Sequence, residues 1–301
     1  MTSIIGSCVA RGIVVVSDTG ETRGGSTFST RDNKIKPIRL DGSIGYPANT
    51  EYNHDVVIQS SGFVCYAGNV TYGDGVIQEF SRHLRENPSD MDFDKGLEVL
   101  EAIYSSFAKQ RGDFRPEFLL GGYSTGSEHF YLGTVVRDDS LPDNCRRAST
   151  PDRLAIGSKK DEAEKWVGRR LELRGDRGQL PLDVGARISL EAREEVSRNG
   201  GSAVGDVQLV YFNGSEIRSY HPDKGNLLFL AAQLGNPLLQ EPVVSEDKVE
   251  SVFKGVLERG LSAKDAFNTI STKTRSKMLR EIAFKGGRYR TGLVERKSET
   301  L

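Results

Sequence analysis

The amino-acid sequence predicts an α+β fold, a four-layer αββα sandwich with a helical extension at its C-terminal end. Three observations predict it. Extended and helical patterns follow in the order strands, two helices, strands, two helices, strands, which suits two stacked sheets with a helix pair on each outer face. A strong two-residue turn, Asn213–Gly214, closes a final hairpin. The composition then changes after His221–Pro222, beyond which three helical segments follow. The reading is therefore one domain over 1–221, carrying an insertion at 41–61, and a helical extension over 222–301 that ends in a basic tail.

Thr2–Cys8 and Gly12–Ser17 read as two strands joined at Ala10–Arg11–Gly12. The run Ile13–Val14–Val15–Val16 is continuous and β-branched, as expected of a strand covered on both faces. Gly20 to Thr30 is rich in Gly, Ser and Thr and reads as a loop; extended structure resumes at Lys34–Ile38. Residues 41–55 read as a polar loop or surface hairpin, and Gly62–Gly68 as a strand ending in a glycine. Val76, Ile77, Phe80 and Leu84 share one helical face, as do Leu97, Leu100, Ile103 and Phe107. Strands are expected at Phe118–Tyr123, His129–Val136 and Arg153–Ile156. One helix then runs to about Leu173, and another from Pro181 to Arg198, where Asn199–Gly200–Gly201 stops it. The last hairpin pairs Asp206–Phe212 with Glu216–Tyr220. Beyond it, Leu227–Leu234, Glu246–Glu258 and Ser262 to about Phe284 read as helices.

Composition narrows the function. A formal charge of −1 offers no global field for nucleic acid or acidic lipid, so neither is an expected partner, although Lys285 to Lys297 is locally basic. No apolar run is long enough to span a bilayer, and no basic stretch leads into an apolar one at the start, so the sequence reads as having no signal peptide. Cys8, Cys65 and Cys145 are scattered, odd in number and without CxxC spacing. That argues for a reducing, cytoplasmic setting and against a disulfide framework or zinc site; neither metal nor cofactor is expected.

The sharpest chemical signal is at the start. Thr2 follows Met1 and is small enough for methionine aminopeptidase, so the mature chain is expected to begin at Thr2. Asp18 lies 16 residues after Thr2, and Lys34 lies 16 after Asp18. A threonine hydroxyl needs a base to take its proton. An α-amine, with a pKa of about 7.7–8.0, is close to working pH. A lysine cation beside it lowers that pKa and keeps more of it neutral, while an aspartate holds the lysine charged and oriented. Singly, each residue has an ordinary structural role: a turn aspartate, an edge lysine, a helix-capping serine.

Together these positions resemble the proteasome β-subunit family of N-terminal-nucleophile hydrolases and its bacterial relatives, of bacterial or archaeal proteasome-like type. VVVSDTGET is similar to its strand-Asp-Ser-x-x-Thr segment, NKIKPI to its Lys-Ile strand, and CYAGN to the turn whose glycine forms the oxyanion hole. LLGGYSTGSEHFYLG, AIGSKKDEA and SRNGGSAVGDVQLVYFNG continue the likeness in order, over roughly residues 2–220. The resemblance implies the proteasome-like sandwich and a catalytic set of Thr2, Asp18, Lys34, Gly68, Ser158, Asn199 and Ser202. It implies substrate contacts at Thr22, with a specificity pocket walled by Glu21, Asp32, Lys36, Tyr66 and Val70. It further implies polypeptide substrates, a homo-oligomeric ring and an ATP-dependent unfoldase partner.

This chain departs from the family at three points. Asn199 stands where an Asp is usual, Gly20 where an Arg is frequent, and residues 41–61 lengthen the connection to Gly68. Two alternatives therefore stay beside the threonine peptidase: a catalytically silent, proteasome-like structural subunit, and an amidohydrolase acting on a small amide.

Overall fold

The run Ile13–Val16 forms the middle of a strand, β2 (Gly12–Asp18), in which every residue is buried. A strand covered on both faces draws neighbours to both edges. Here they are β1 (Ser3–Val9) and β11 (Val207–Phe212), both antiparallel to it. The computed structural model describes residues 3–18, 20–23, 26–29, 33–47, 54–157, 159–174, 180–198, 206–236 and 244–276.

The remaining strands of the main sheet are β5 (Ile35–Arg39), β6 (Val56–Ala67), β7 (Glu117–Ser124), β8 (His129–Arg137), β9 (Cys145–Thr150), β10 (Arg153–Gly157) and β12 (Glu216–Ser219). Their order is β10-β1-β2-β11-β12-β6-β7-β8-β9, with β5 also paired to β6. The sheet wraps back on itself, nearly closed. Inward side chains from both halves, including Ile4, Ile13, Phe63, Leu119, Leu132 and Phe212, fill a shared core.

Helices cover the two outer faces. α1 (Val70–Glu86) and α2 (Phe93–Gln110) bring Val76, Phe80, Leu97, Leu100 and Tyr104 onto Val64, Phe118, Leu120 and Val135. The opposite face, with Ile5, Val14, Val16 and Leu209, is covered by α3 (Lys160–Arg174), α4 (Leu182–Arg198) and α5 (Pro222–Leu234), and α6 (Glu246–Leu257) and α7 (Ala263–Asn268) pack on those helices. Antiparallel sheet and segregated helices make this an α+β fold. Each fully buried Phe or Leu side chain contributes about 1.5–3 kcal/mol by leaving water.

α4 is buried almost all round, and the charge of Glu191 at its centre is paired for that reason. Glu191 accepts from Arg170 Nε at 2.6 Å and from Arg187 Nε at 3.0 Å. Arg187 extends the network to Glu246 of α6 at 3.1 Å, and to the carbonyl of Gly235, which closes α5, at 3.1 Å. The helices after residue 221 therefore share one core and one ionic network with α4.

Several elements differ from expectation. The expected loop at 20–30 contains a short hairpin, β3 (Gly20–Arg23) and β4 (Ser26–Ser29). β6 begins at Val56 rather than Gly62, because its first residues pair with β12, from Gln59↔Glu216 to Val56↔Ser219. β9 was not expected: its middle is exposed and polar, and its ladder with β8 carries no apolar alternation. α5 begins at Pro222, five residues early, where His221 Nδ1 accepts the Asp223 N–H at 3.2 Å. The single helix expected from Ser262 ends instead at Asn268, and a new one starts where Ser271 Oγ accepts the Thr274 N–H. Among the described residues, no helix is long and apolar enough to cross a membrane.

Candidate active site

Asp18 closes β2 and is fully buried. An ionised carboxylate without water must be met by donors and a countercharge. Its Oδ1 receives both, the Ser3 amide at 3.3 Å and Lys34 Nζ at 3.1 Å. Asp18 Oδ2 and Ser3 Oγ are buried with no hydrogen-bond partner among the described residues.

Lys34 stands just before β5, and nothing in the sheet ladder fixes it. Its amide donates instead to Gln208 Oε1 at 3.0 Å. The same oxygen accepts from Ile35 N at 3.4 Å and from Ser17 Oγ at 3.2 Å. Since Ile35 pairs with Cys65, Lys34 lies toward the Tyr66–Gly68 end of β6.

Gly68 links β6 to α1 with φ of +117°, a conformation that disfavours any side chain. A Cβ there would lie 3.1 Å from Pro116 Cα. Asn69 follows as the cap of α1, accepting the Tyr72 N–H.

The β10–α3 turn reaches the same end of the sheet. Ser3 pairs with Gly157, so the start of β1 lies beside this turn. Gly157 and Lys159 both have left-handed backbone, φ of +91° and +60°. The turn is held by Glu117, which accepts the Gly157 N–H at 2.7 Å and the Lys160 ammonium at 2.6 Å. Glu117 itself pairs with Ala67, immediately before Gly68. One carboxylate thus joins the two turns.

The structure brings Asp18 and Lys34 into contact, with Gly68 on the neighbouring strand end. Thr2, Asp32, Ser158, Asn199 and Ser202 lie outside the described residues. Thr22 and Glu21 fall on β3, opposite Thr27 and Phe28. Lys36 and Tyr66 meet at Asp74 of α1: Tyr66 Oη donates to Asp74 Oδ1 at 2.9 Å, and Lys36 Nζ lies 3.7 Å from it. Val70 is exposed on the first turn of α1. Asp74, Glu117 and Gln208 were not anticipated. A glycine pair flanking Asp74 in a helical pattern was the only available signal for the first. Gly73 has no room for a Cβ, which would lie 2.3 Å from the Tyr66 ring.

Burial pushes the Cys8 thiol up to about 12 and raises Cys65 as well, which disfavours the reactive thiolate at both. Among the described residues, no group of three or more His, Cys, Asp or Glu side chains is arranged to hold a metal ion.

No family model matches the chain, and no curated protein matches it. Solved structures do. An Anbu (Gly-1) mutant from Hyphomicrobium sp. strain MC1 is 19% identical with a TM-score of 0.50, over 73% of this chain and 85% of that one. Anbu, described as an ancestral beta-subunit, from Yersinia bercovieri is 16% identical with a TM-score of 0.53, over 77% of this chain and 92% of that one. At such identities the likeness shows the fold, and this chain has the proteasome-like fold of these proteins. It also corrects the family reading. The resemblance had pointed to the proteasome β-subunit family of bacterial or archaeal type, whereas the matching structures are Anbu proteins, proteasome-like but a distinct family.

Proposed function

We propose that this chain is a threonine peptidase in which Thr2, freed by removal of Met1, is the nucleophile. The observation that carries the reading is the placement of Asp18 Oδ1, within hydrogen-bond reach of both the Ser3 amide and Lys34 Nζ. It supports an ammonium held beside the residue that precedes Ser3.

In this reading the Thr2 amine takes the hydroxyl proton as Oγ1 attacks a peptide carbonyl. Lys34 keeps that amine neutral, and Asp18 keeps Lys34 charged. The Gly68 N–H faces the developing oxyanion, a contribution of about 2.7–4 kcal/mol. The C–N bond breaks as the proton passes to the departing amine, and water then hydrolyses the Thr2 ester. Ser158, Ser202 and Asn199 lie along the proton path. Thr22 holds the substrate backbone, and Glu21, Asp32, Lys36, Tyr66 and Val70 wall its side-chain pocket. The two halves of the sheet with their outer helices correspond to the αββα layers. The domain spans 1–221 with an insertion at 41–61, and 222–301 extends it. The chain assembles into a homo-oligomeric ring in the cytoplasm, encloses its sites and receives polypeptides from an ATP-dependent unfoldase.

The test combines intact mass spectrometry with a peptide boronate and a β-lactone. Loss of Met1, covalent lactone labelling at Thr2, and absence of both labelling and peptide cleavage in Thr2→Ala are the expected results. Cleavage by Thr2→Ala at the parent rate would rule the reading out. Retained Met1 with no labelling would indicate a silent subunit instead, and turnover of acylated amino acids without peptides an amidohydrolase.

A further inference from the structure

We propose that Gln208 is a positioning residue of this site, its buried side-chain oxygen setting where Lys34 stands relative to Asp18. The inference rests on the threonine-nucleophile reading. β5 pairs with β6 and not with β2, so no ladder connects the lysine to the strand that bears the aspartate. Gln208 makes that connection. It is the ladder partner of Ser17, the residue before Asp18, and its Oε1 accepts from Ser17 Oγ, Lys34 N and Ile35 N at 3.0–3.4 Å.

The chemistry of this position favours a glutamine. β11 is otherwise Val, Leu, Val, Tyr and Phe, and an apolar residue at 208 would avoid the cost of burying an amide. Three donors converging on Oε1 offset that cost at one end of the amide, while Nε2 is buried with no hydrogen-bond partner among the described residues. Rotating the amide would point its NH2 at the N–H groups of Lys34 and Ile35, which can only donate, and this favours the orientation with Oε1 toward them. The amide is also neutral. It gathers three donors beside the Asp18–Lys34 pair without adding a charge that would compete with Asp18.

The test uses the full chain and two variants: Gln208→Glu, which keeps the acceptor, and Gln208→Met, which keeps the volume and removes it. Two rates are followed against pH: acetylation of Lys34 by acetic anhydride, read by peptide mass spectrometry, and labelling of Thr2 by a β-lactone. Gln208→Met is expected to raise Lys34 acetylation about tenfold, the equivalent of one pKa unit, and to slow lactone labelling at least as much. Gln208→Glu is expected to acetylate more slowly than the parent and to move the acid limb of labelling to higher pH, because an added carboxylate stabilises the protonated amine. Unchanged Lys34 reactivity in Gln208→Met overturns the proposal, as does a lower melting temperature with neither pH profile moved. If Gln208→Met fails to fold, Gln208→Glu decides, and a parental profile overturns it. If the parent never reacts with the lactone yet Gln208→Met unmasks Lys34, the peptidase reading fails and the positioning role stands.

Discussion

Lys34 Nζ stands 3.1 Å from Asp18 Oδ1, and the two differ sharply in exposure: the aspartate is fully buried, while the lysine side chain keeps 13% of its surface. The asymmetry decides what each mutation does. Removing the lysine strands a buried negative charge; neutralising both removes the problem. Lys34→Met is therefore expected to cost about 3–5 kcal/mol. The double variant Asp18→Asn/Lys34→Met should be more stable than Lys34→Met by at least about 1 kcal/mol. Urea unfolding of the parent, both single variants and the double variant measures this, and additive losses would show the pair to be uncoupled.

The network on α4 makes a contrast between buried and exposed partners. Glu191 has no exposed side-chain surface, whereas Glu246, bound to the same Arg187, is 61% exposed. Glu191→Gln should destabilise the fold by about 3–5 kcal/mol, and Glu246→Gln by no more than about 1 kcal/mol. Equal losses in thermal unfolding would contradict this assignment.

Gly73 gives a steric prediction. A methyl group there meets the Tyr66 ring, so Gly73→Ala should cost about 1–3 kcal/mol. In a Tyr66→Ala background the clash is gone, and the same change should gain up to about 1 kcal/mol from helix propensity. The reversal of sign, read from chemical denaturation midpoints, is the signature to look for.

Alkaline pH should weaken the fold from a predictable point. Burial raises the pKa values of Cys8, Cys65, Tyr104 and Tyr220 above their ordinary values of 9.0 and 10.0. Between the ordinary and the raised values the unfolded chain has lost protons that the folded chain keeps. Stability is thus complete below about pH 9 and falls as pH rises beyond it. Urea midpoints should be level from pH 7 to 8.5 and decline by pH 10.5. Iodoacetamide at pH 8 should leave Cys8 and Cys65 unmodified until the protein is unfolded.

Local pattern made much of this fold readable. The 3.6-residue spacing of Val76, Phe80 and Leu84 identified α1, and the β-branched run identified β2, because each buries a face whose period the sequence records. Asp18 and Lys34 could be paired because both close or open strands at fixed offsets. The unread parts depend on long-range partners. Exposed β9 is a strand only because β8 lies beside it, and residues 56–59 are extended because β12 pairs with them. Gln208 and Glu117 look like solvent-facing polar residues until the sheet turns them toward another segment's backbone.

The central position of β2 has a consequence for the chain as it leaves the ribosome. Its second neighbour, β11, is made last among the strands that touch it, and Ser17 and Gln208 are 191 positions apart. At translation rates of about 5–20 residues per second, roughly 10–40 s separate the emergence of one from that of the other. During that interval the Lys34 amide lacks the Gln208 oxygen that receives it in the finished fold. The contact between Ser17 and Gln208 thus joins one of the first segments to be made to one made when about two thirds of the chain is complete.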